Sequence, residues 1–240
     1  MIAAGFSNIG RRGFSLIDLL VSIAVIALLI SIMSPTVKSV RETARRVVCG
    51  SNVRQVGLGI SMYADNHADE VPYSVFTGKV IPKSGYAAQP EEMIRLYVEA
   101  PNKTSFNWDG LGLLYSQQYL NTPGVFYCPS HTGAWGFSEV KPLWTRLDTE
   151  IRGNFQYRGV GPNGSRWLNH MFPSHTALVA DGLRSRDDFN HLIGANVLRA
   201  DLSVSWFPDN DRNILAILAL GEGALNPDSV RDAWDILDER

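Results

Sequence analysis

The side chains able to do chemistry in this chain are few and far apart. Asp18 is the one ionisable residue in the apolar run FSLIDLLVSIAVIALLISIMS, residues 14–34. A carboxylate in hydrocarbon costs about 2.5–3.5 kcal/mol on insertion scales, so an acid retained there marks a functional position that needs a partner. Cys49 and Cys128 are the only two cysteines, too few for a disulfide scaffold but enough for one bridge. Cys128-Pro129-Ser130-His131 has ligand-like spacing, and with Cys49 it would supply three zinc donors. A disulfide or two buried thiols is the simpler reading, so no metal and no cofactor are expected. Asp209, Asp211 and Asn213 alternate as in a calcium loop, but Ile214 stands where the sharp-turn glycine belongs and Leu220 where the bidentate acid belongs. Asp65, His67, Asp69 and Glu70 read as a solvated cap and turn. The histidines at 67, 131, 170, 175 and 191 could meet Asp181 or Asp201 in space. No GxSxG, HExxH, P-loop or GxGxxG pattern occurs, and no enzyme is expected.

The elements that carry these residues divide the chain unevenly. Its 240 residues, 45% hydrophobic and 19% charged with a formal net charge of -2, exclude disorder and a polybasic nucleic-acid binder. As a helix, residues 14–34 would be about 31 Å long, enough to cross a hydrocarbon core of about 30 Å once. Only MIAAGFSNIGRRG precedes them. Pro35, at the end of the span, removes one backbone hydrogen bond and predicts a kink. Residues 36–65 contain no proline and show two apolar stripes at helical spacing. Val37, Val40, Ala44, Val47 and Val48 make one; Cys49, Val53, Val56, Ile60 and Tyr63 make the other, rotated by roughly 150°. A helix whose apolar face swings near Cys49-Gly50 packs against different things above and below. A break at Gly50 is the alternative.

After Asn66, prolines at 72, 82, 90 and 101 predict long loops with a short helix near Glu91–Glu99. Strands are expected at 176–180, 195–199 and 203–207, the last two as a hairpin. The fold class is therefore α+β: a long amino-terminal helix packed on a head with an antiparallel sheet and long loops. Six tryptophans, at 108, 135, 144, 167, 206 and 234, either line a recognition surface or build the core.

The amino terminus, with Arg11-Arg12-Gly13 before Phe14-Ser15-Leu16-Ile17-Asp18-Leu19-Leu20 and Pro35 closing the span, resembles the prepilin-type leader of type IV pilins and type II secretion pseudopilins. The resemblance implies cleavage between Gly13 and Phe14 by a prepilin peptidase on the cytoplasmic side, and methylation of the new amino-terminal Phe14. It implies that Asp18, where the family usually has Glu, pairs in the filament with the free amino group of a neighbouring subunit. It further implies other pilin-like subunits and an inner-membrane assembly platform as partners, and no nucleic acid. The segments would be a leader 1–13, a transmembrane helix 14–34, an amphipathic stalk 35–65 and an exported head 66–240. The head would lie in the periplasm or at the cell surface. Lys38, Arg41, Arg45 and Arg46 follow the span, and basic residues alone would place that side in the cytoplasm; the whole signature is more specific than the charge bias. In the exported portion oxidation is allowed, and Cys49 and Cys128 would be bridged, with two separate buried thiols as the alternative.

A second resemblance runs through the head. CGSNVRQVGLGISMYADNHADEVPY at 49–73, FYCPS at 126–130, and His191 through GANVLRADLSVSW at 194–206 are similar to a large bacterial family of pilin-like proteins. That family often ends with His followed ten residues later by Asp-Gly; here His191 and Asp201 keep the spacing and Leu202 replaces the glycine. The sequence thus points to a structural subunit of an envelope filament or secretion machine. The alternative is a monomeric membrane-anchored extracytoplasmic binding protein that uses the same export route.

Overall fold

The computed structural model describes residues 15–77, 89–100, 105–221 and 225–239, the side chain of Pro35 excepted. Its first element, α1 (Leu16–Asn66), is 51 residues long and continues through Pro35 and Gly50, so the break considered at Gly50 does not occur. The chain divides into two compact units with the boundary at Thr43/Ala44.

In the first unit the apolar side chains have no protein to bury them. Leu16, Ile17, Ile23, Leu28 and Ile32 are each more than half exposed. Within the second unit, Cys49, Val53, Val56, Ile60 and Tyr63 are buried. Their spacing of 4, 3, 4 and 3 residues keeps them on one helix face. Val47 and Val48, on the other stripe, are exposed. The apolar face therefore changes where the sequence says it does.

Among the described residues the head holds two antiparallel sheets. β1 (Arg95–Glu99), β2 (Phe106–Trp108) and β3 (Ile151–Arg152) form a three-stranded sheet in the order β2-β1-β3. The helix expected near Glu91–Glu99 is absent: Pro90–Glu92 is a single 3₁₀ turn and Arg95–Glu99 is a strand. Leu96 and Val98 are buried while Arg95, Tyr97 and Glu99 are partly exposed, a period-2 burial pattern that only a strand provides. Cross-strand pairing of Tyr97 with Trp108, rings 4.9 Å apart, adds to it.

β4 (Phe155–Tyr157), β5 (Ala177–Asp181), β6 (Gly194–Arg199) and β7 (Val204–Pro208) make the second sheet, in that order and antiparallel throughout. The expected hairpin is β6-β7, with Ala195 opposite Phe207 and Leu198 opposite Val204. In its turn Asp201 accepts from Ser203 N at 2.9 Å, and Leu202 sits at φ 66°. That left-handed backbone is why a glycine is the natural occupant of the position.

Short helices α2 (Gly112–Ser116), α3 (Phe137–Val140), α4 (Leu143–Arg146) and α5 (Asn213–Ile217) fill the connections, and α6 (Pro227–Asp238) ends the fold. Strands β5 and β6 are buried on both faces. On one face Leu178 and Leu198 join the core built with α1; on the other Ala177, Ala195 and Val197 pack with Val230, Ala233, Trp234 and Leu237 of α6. Gly57 makes the first packing close: a Cβ there would lie 2.6 Å from Leu198 Cδ1. Asn226 caps α6 through Asp228 N, with Pro227 in its first turn. Asn-Pro before an i, i+3, i+4, i+7 apolar stripe is a helix start that the sequence reading passed over.

Candidate functional site

Two regions carry the candidate residues. At the amino terminus α1 is long and apolar enough to cross a membrane, and none of that stretch is buried in the protein. Gly13 and Phe14, the expected processing residues, lie outside the described residues. Asp18 accepts from Ser15 N at 3.3 Å through Oδ2, while Ser15 Oγ accepts from Ile17 N at 3.2 Å. Asp18, at the third helical position, takes the N-cap amide as in a capping box, while the Ser15 hydroxyl takes the amide of the second helical residue. The acid therefore starts the helix as well as standing in its apolar stretch, a local role that its position four residues into the expected mature chain did not reveal.

The second region is inside the head. Cys49 comes from the buried stripe of α1 and Cys128 follows the 3₁₀ turn Pro123–Phe126. Asp181 ends β5, and His191 lies in the connection to β6. All four are buried, and their ligand atoms lie within 4.8 Å of one another. Cys49 Sγ donates to Asp181 Oδ1 at 2.9 Å. Cys128 Sγ lies 3.5 Å from His191 Nε2, which is 3.7 Å from Asp181 Oδ2. Around them, Asn196 N and Nδ2 donate to Asp181 Oδ2 at 2.6 and 3.3 Å, Asn190 Nδ2 donates to Oδ1 at 3.3 Å, and Ser130 N donates to Cys128 Sγ at 3.4 Å. The His191 ring meets Trp206 edge-on at 5.6 Å, and the Arg46 guanidinium covers Trp206 at 4.4 Å.

The environment splits the two thiols. Burial, the bond to Cys128 and the charge of Asp181 push Cys49 well up. Burial also raises Cys128, but bonds involving Cys49 and His191 outweigh it and its net direction is down. Cys128 is the thiol that ionises first. Both cysteines are free thiols in this structure, and the fold brings the pair together across 79 residues of sequence.

The other candidates have structural work. His131 is not the third member of a Cys49–Cys128 set: its ring nitrogens lie 2.7 Å from Asn190 Oδ1 and 2.7 Å from Ala134 O. Asp209 spends both carboxylate oxygens on Ile214 N and Leu215 N at the start of α5. Asp69 holds Asn169 through its backbone N and its Nδ2, and His67 stacks on Tyr63 at 3.8 Å. Asp201 caps its hairpin turn. Sequence reasoning named His191 and Asp181 as residues that might meet something, but missed Asn190 and Asn196. Only their position beside those two residues could have flagged them.

No curated protein and no solved structure matches the chain. A family model described as "Protein of unknown function (DUF1559)" matches residues 38–187, a stretch that starts in α1 and includes Cys49, Cys128 and Asp181. Since that match covers more than half of the sequence, the chain belongs to the DUF1559 family.

Proposed function

We propose that this protein is a membrane-anchored, pilin-like structural subunit of an envelope filament or secretion machine, matured by a prepilin peptidase at Gly13-Phe14. The observation that carries the reading is the stretch 16–34 of α1, an unburied apolar helix long enough to span a bilayer whose only ionisable side chain is Asp18. Such a surface has to be covered by lipid or by other apolar helices. An acid inside it calls for a cation, which the amino group of a neighbouring subunit's Phe14 would supply. On this reading the prepilin-type export route, not the span by itself, would carry the head to the periplasmic side or the cell surface. Its partners are the peptidase, other pilin-like subunits and an inner-membrane assembly platform.

The head supports a structural role over a binding role. Trp144 and Trp234 are buried, and Trp108, Trp135 and Trp206 are half-buried. Trp108, Tyr115, Phe126, Tyr127 and Trp144 pack ring against ring as a core cluster, Phe126 stacked on Trp144 and the others tilted or edge-on. Of the six, Trp167 alone is exposed, and one ring does not make a recognition platform. The deciding experiment is intact-mass measurement with amino-terminal sequencing of protein isolated from its native membrane. The expected chain lacks residues 1–13 and begins with amino-methylated Phe14. A chain beginning at Met1, or cleaved after residue 34, would refute the proposal.

A further inference from the structure

We propose that Cys49, Cys128, Asp181 and His191 form a closed structural site for a thiolate-preferring divalent cation, with zinc as the ion it would take. The donor set is two sulfurs, one imidazole nitrogen and one carboxylate oxygen, the ligand types zinc accepts in tetrahedral sites. Zinc bonds of about 2.0–2.3 Å place tetrahedral ligand atoms about 3.3–3.8 Å apart. Two of the approaches fall in that range, 3.5 Å for Cys128 Sγ to His191 Nε2 and 3.7 Å for His191 Nε2 to Asp181 Oδ2; Cys49 Sγ to Asp181 Oδ1 is shorter at 2.9 Å, and all four ligand atoms lie within 4.8 Å of one another. Small side-chain adjustments centre an ion among them. The sequence offered His131 as the third zinc donor and favoured a disulfide or two buried thiols over that set; the fold supplies His191 instead.

Three further features belong to a metal site more than to a core of ordinary polar residues. All four donors are buried, so a bound ion would have no open position, the hallmark of structural rather than catalytic zinc. The donors are also oriented from outside. Asn196 and Asn190 hold Asp181, and the Ser130 amide points at Cys128 Sγ, the kind of outer-shell support that fixes ligand geometry. Finally, thiols are weak hydrogen-bond partners, and they compensate a buried carboxylate and imidazole less well than a cation does. On binding, the two thiols release their protons to solvent, the carboxylate enters as the anion, and His191 gives its Nε2 lone pair. The ion would clamp α1, through Cys49, to the Cys128 loop, to β5 and to the connection that precedes β6. This inference does not depend on how the amino terminus is processed.

The test uses the full-length protein in detergent, reduced, stripped with chelator and titrated with cobalt and then zinc. Stoichiometric cobalt binding should give the absorption of tetrahedral cobalt with thiolate-to-metal charge transfer, bleached by zinc. The protein as isolated should carry zinc, and after chelation in denaturant it should show both thiols free. Cys49→Ser and Cys128→Ser should each reduce the charge-transfer band by about half. His191→Ala should weaken zinc binding by about 10-fold or more if second-shell-sized losses are the floor. A variant that does not fold leaves the wild-type cobalt spectrum as the judge. Reduced wild type that binds neither ion, cobalt bound without thiolate charge transfer, or isolated protein with Cys49 disulfide-bonded to Cys128, each overturns the site.

Discussion

Asp109 offers a test of the head's energetics that needs no ligand. It is buried between β2 and α2, where Ser74 Oγ donates to Oδ2 at 2.6 Å and Val75 N to Oδ1 at 2.8 Å. Burial raises its pKa from 3.8 to about 6 in spite of those two bonds. The folded chain thus holds the proton more tightly than the unfolded chain does. Below the unfolded value both states are protonated and stability is full; it is lost as pH rises through about 4 to 6, and is level above. A difference of about two pKa units corresponds to about 3 kcal/mol. Asp109→Asn keeps an oxygen for Val75 N and cannot ionise, but the group then facing Ser74 Oγ is an NH2 that donates, so the hydroxyl must accept instead, a loss of about 1 kcal/mol at any pH. The variant should therefore be about 1–2 kcal/mol more stable than wild type at neutral pH and no more stable near pH 4. Urea unfolding of the full chain in micelles, followed by tryptophan fluorescence, measures both proteins across that range. Their difference cancels the other acids. A difference that stays flat with pH, or that shrinks as pH rises, would refute the reasoning.

Gly112→Ala should be among the most damaging single changes in the head. A Cβ at Gly112 would lie 1.9 Å from the Leu96 carbonyl oxygen and 2.7 Å from its carbon, and backbone in β1 cannot retreat as a side chain can. The expected loss is about 3 kcal/mol or more, read as a lower urea midpoint; an unchanged midpoint would mean α2 does not seat on β1 as described. Asp18→Ala should make the span cheaper to insert by about 2.5–3.5 kcal/mol while reducing crosslinked oligomers in membranes. Undiminished crosslinking would leave the bond from Ser15 N as the acid's whole role.

The fold was most legible where one periodic pattern ran long enough to be unambiguous. In α1 the two stripes, 37–48 and 49–63, separate by angle alone, and burial follows that angle residue by residue. Strands β6 and β7 were readable because β-branched and aromatic residues flank a turn. β1 was not readable: EEMIRLYVE contains good helix formers, and its alternation appears only when Leu96 and Val98 have a core to face. The three-stranded sheet depends on partners 11 and about 55 residues away, Trp108 and Ile151. Pairing across such separations is set by the collapsed core, not by local propensity.

The candidate site shows a harder limit. Asp18 stood out because hydrocarbon makes any charge conspicuous, and that signal is one-dimensional. Cys49, Cys128, Asp181 and His191 have no such background: each sits in a stretch of ordinary composition. A zinc motif with paired spacing is legible because two ligands share a local turn, and here Cys128 and His131 mimic that pattern while His131 is held by Asn190 and Ala134. The true neighbour of Cys128 is delivered by the loop between β5 and β6. His191 stands just before the left-handed turn at Leu192, φ 58°, from which the chain re-enters the sheet at Gly194. A site assembled from one helix, one strand and two loops is therefore specified by how those elements pack. The residues that expose it are two buried asparagines that converge on Asp181: Asn196 also donates to the Arg46 carbonyl of α1, and Asn190 bridges Asp181 to the carbonyl of Asn154.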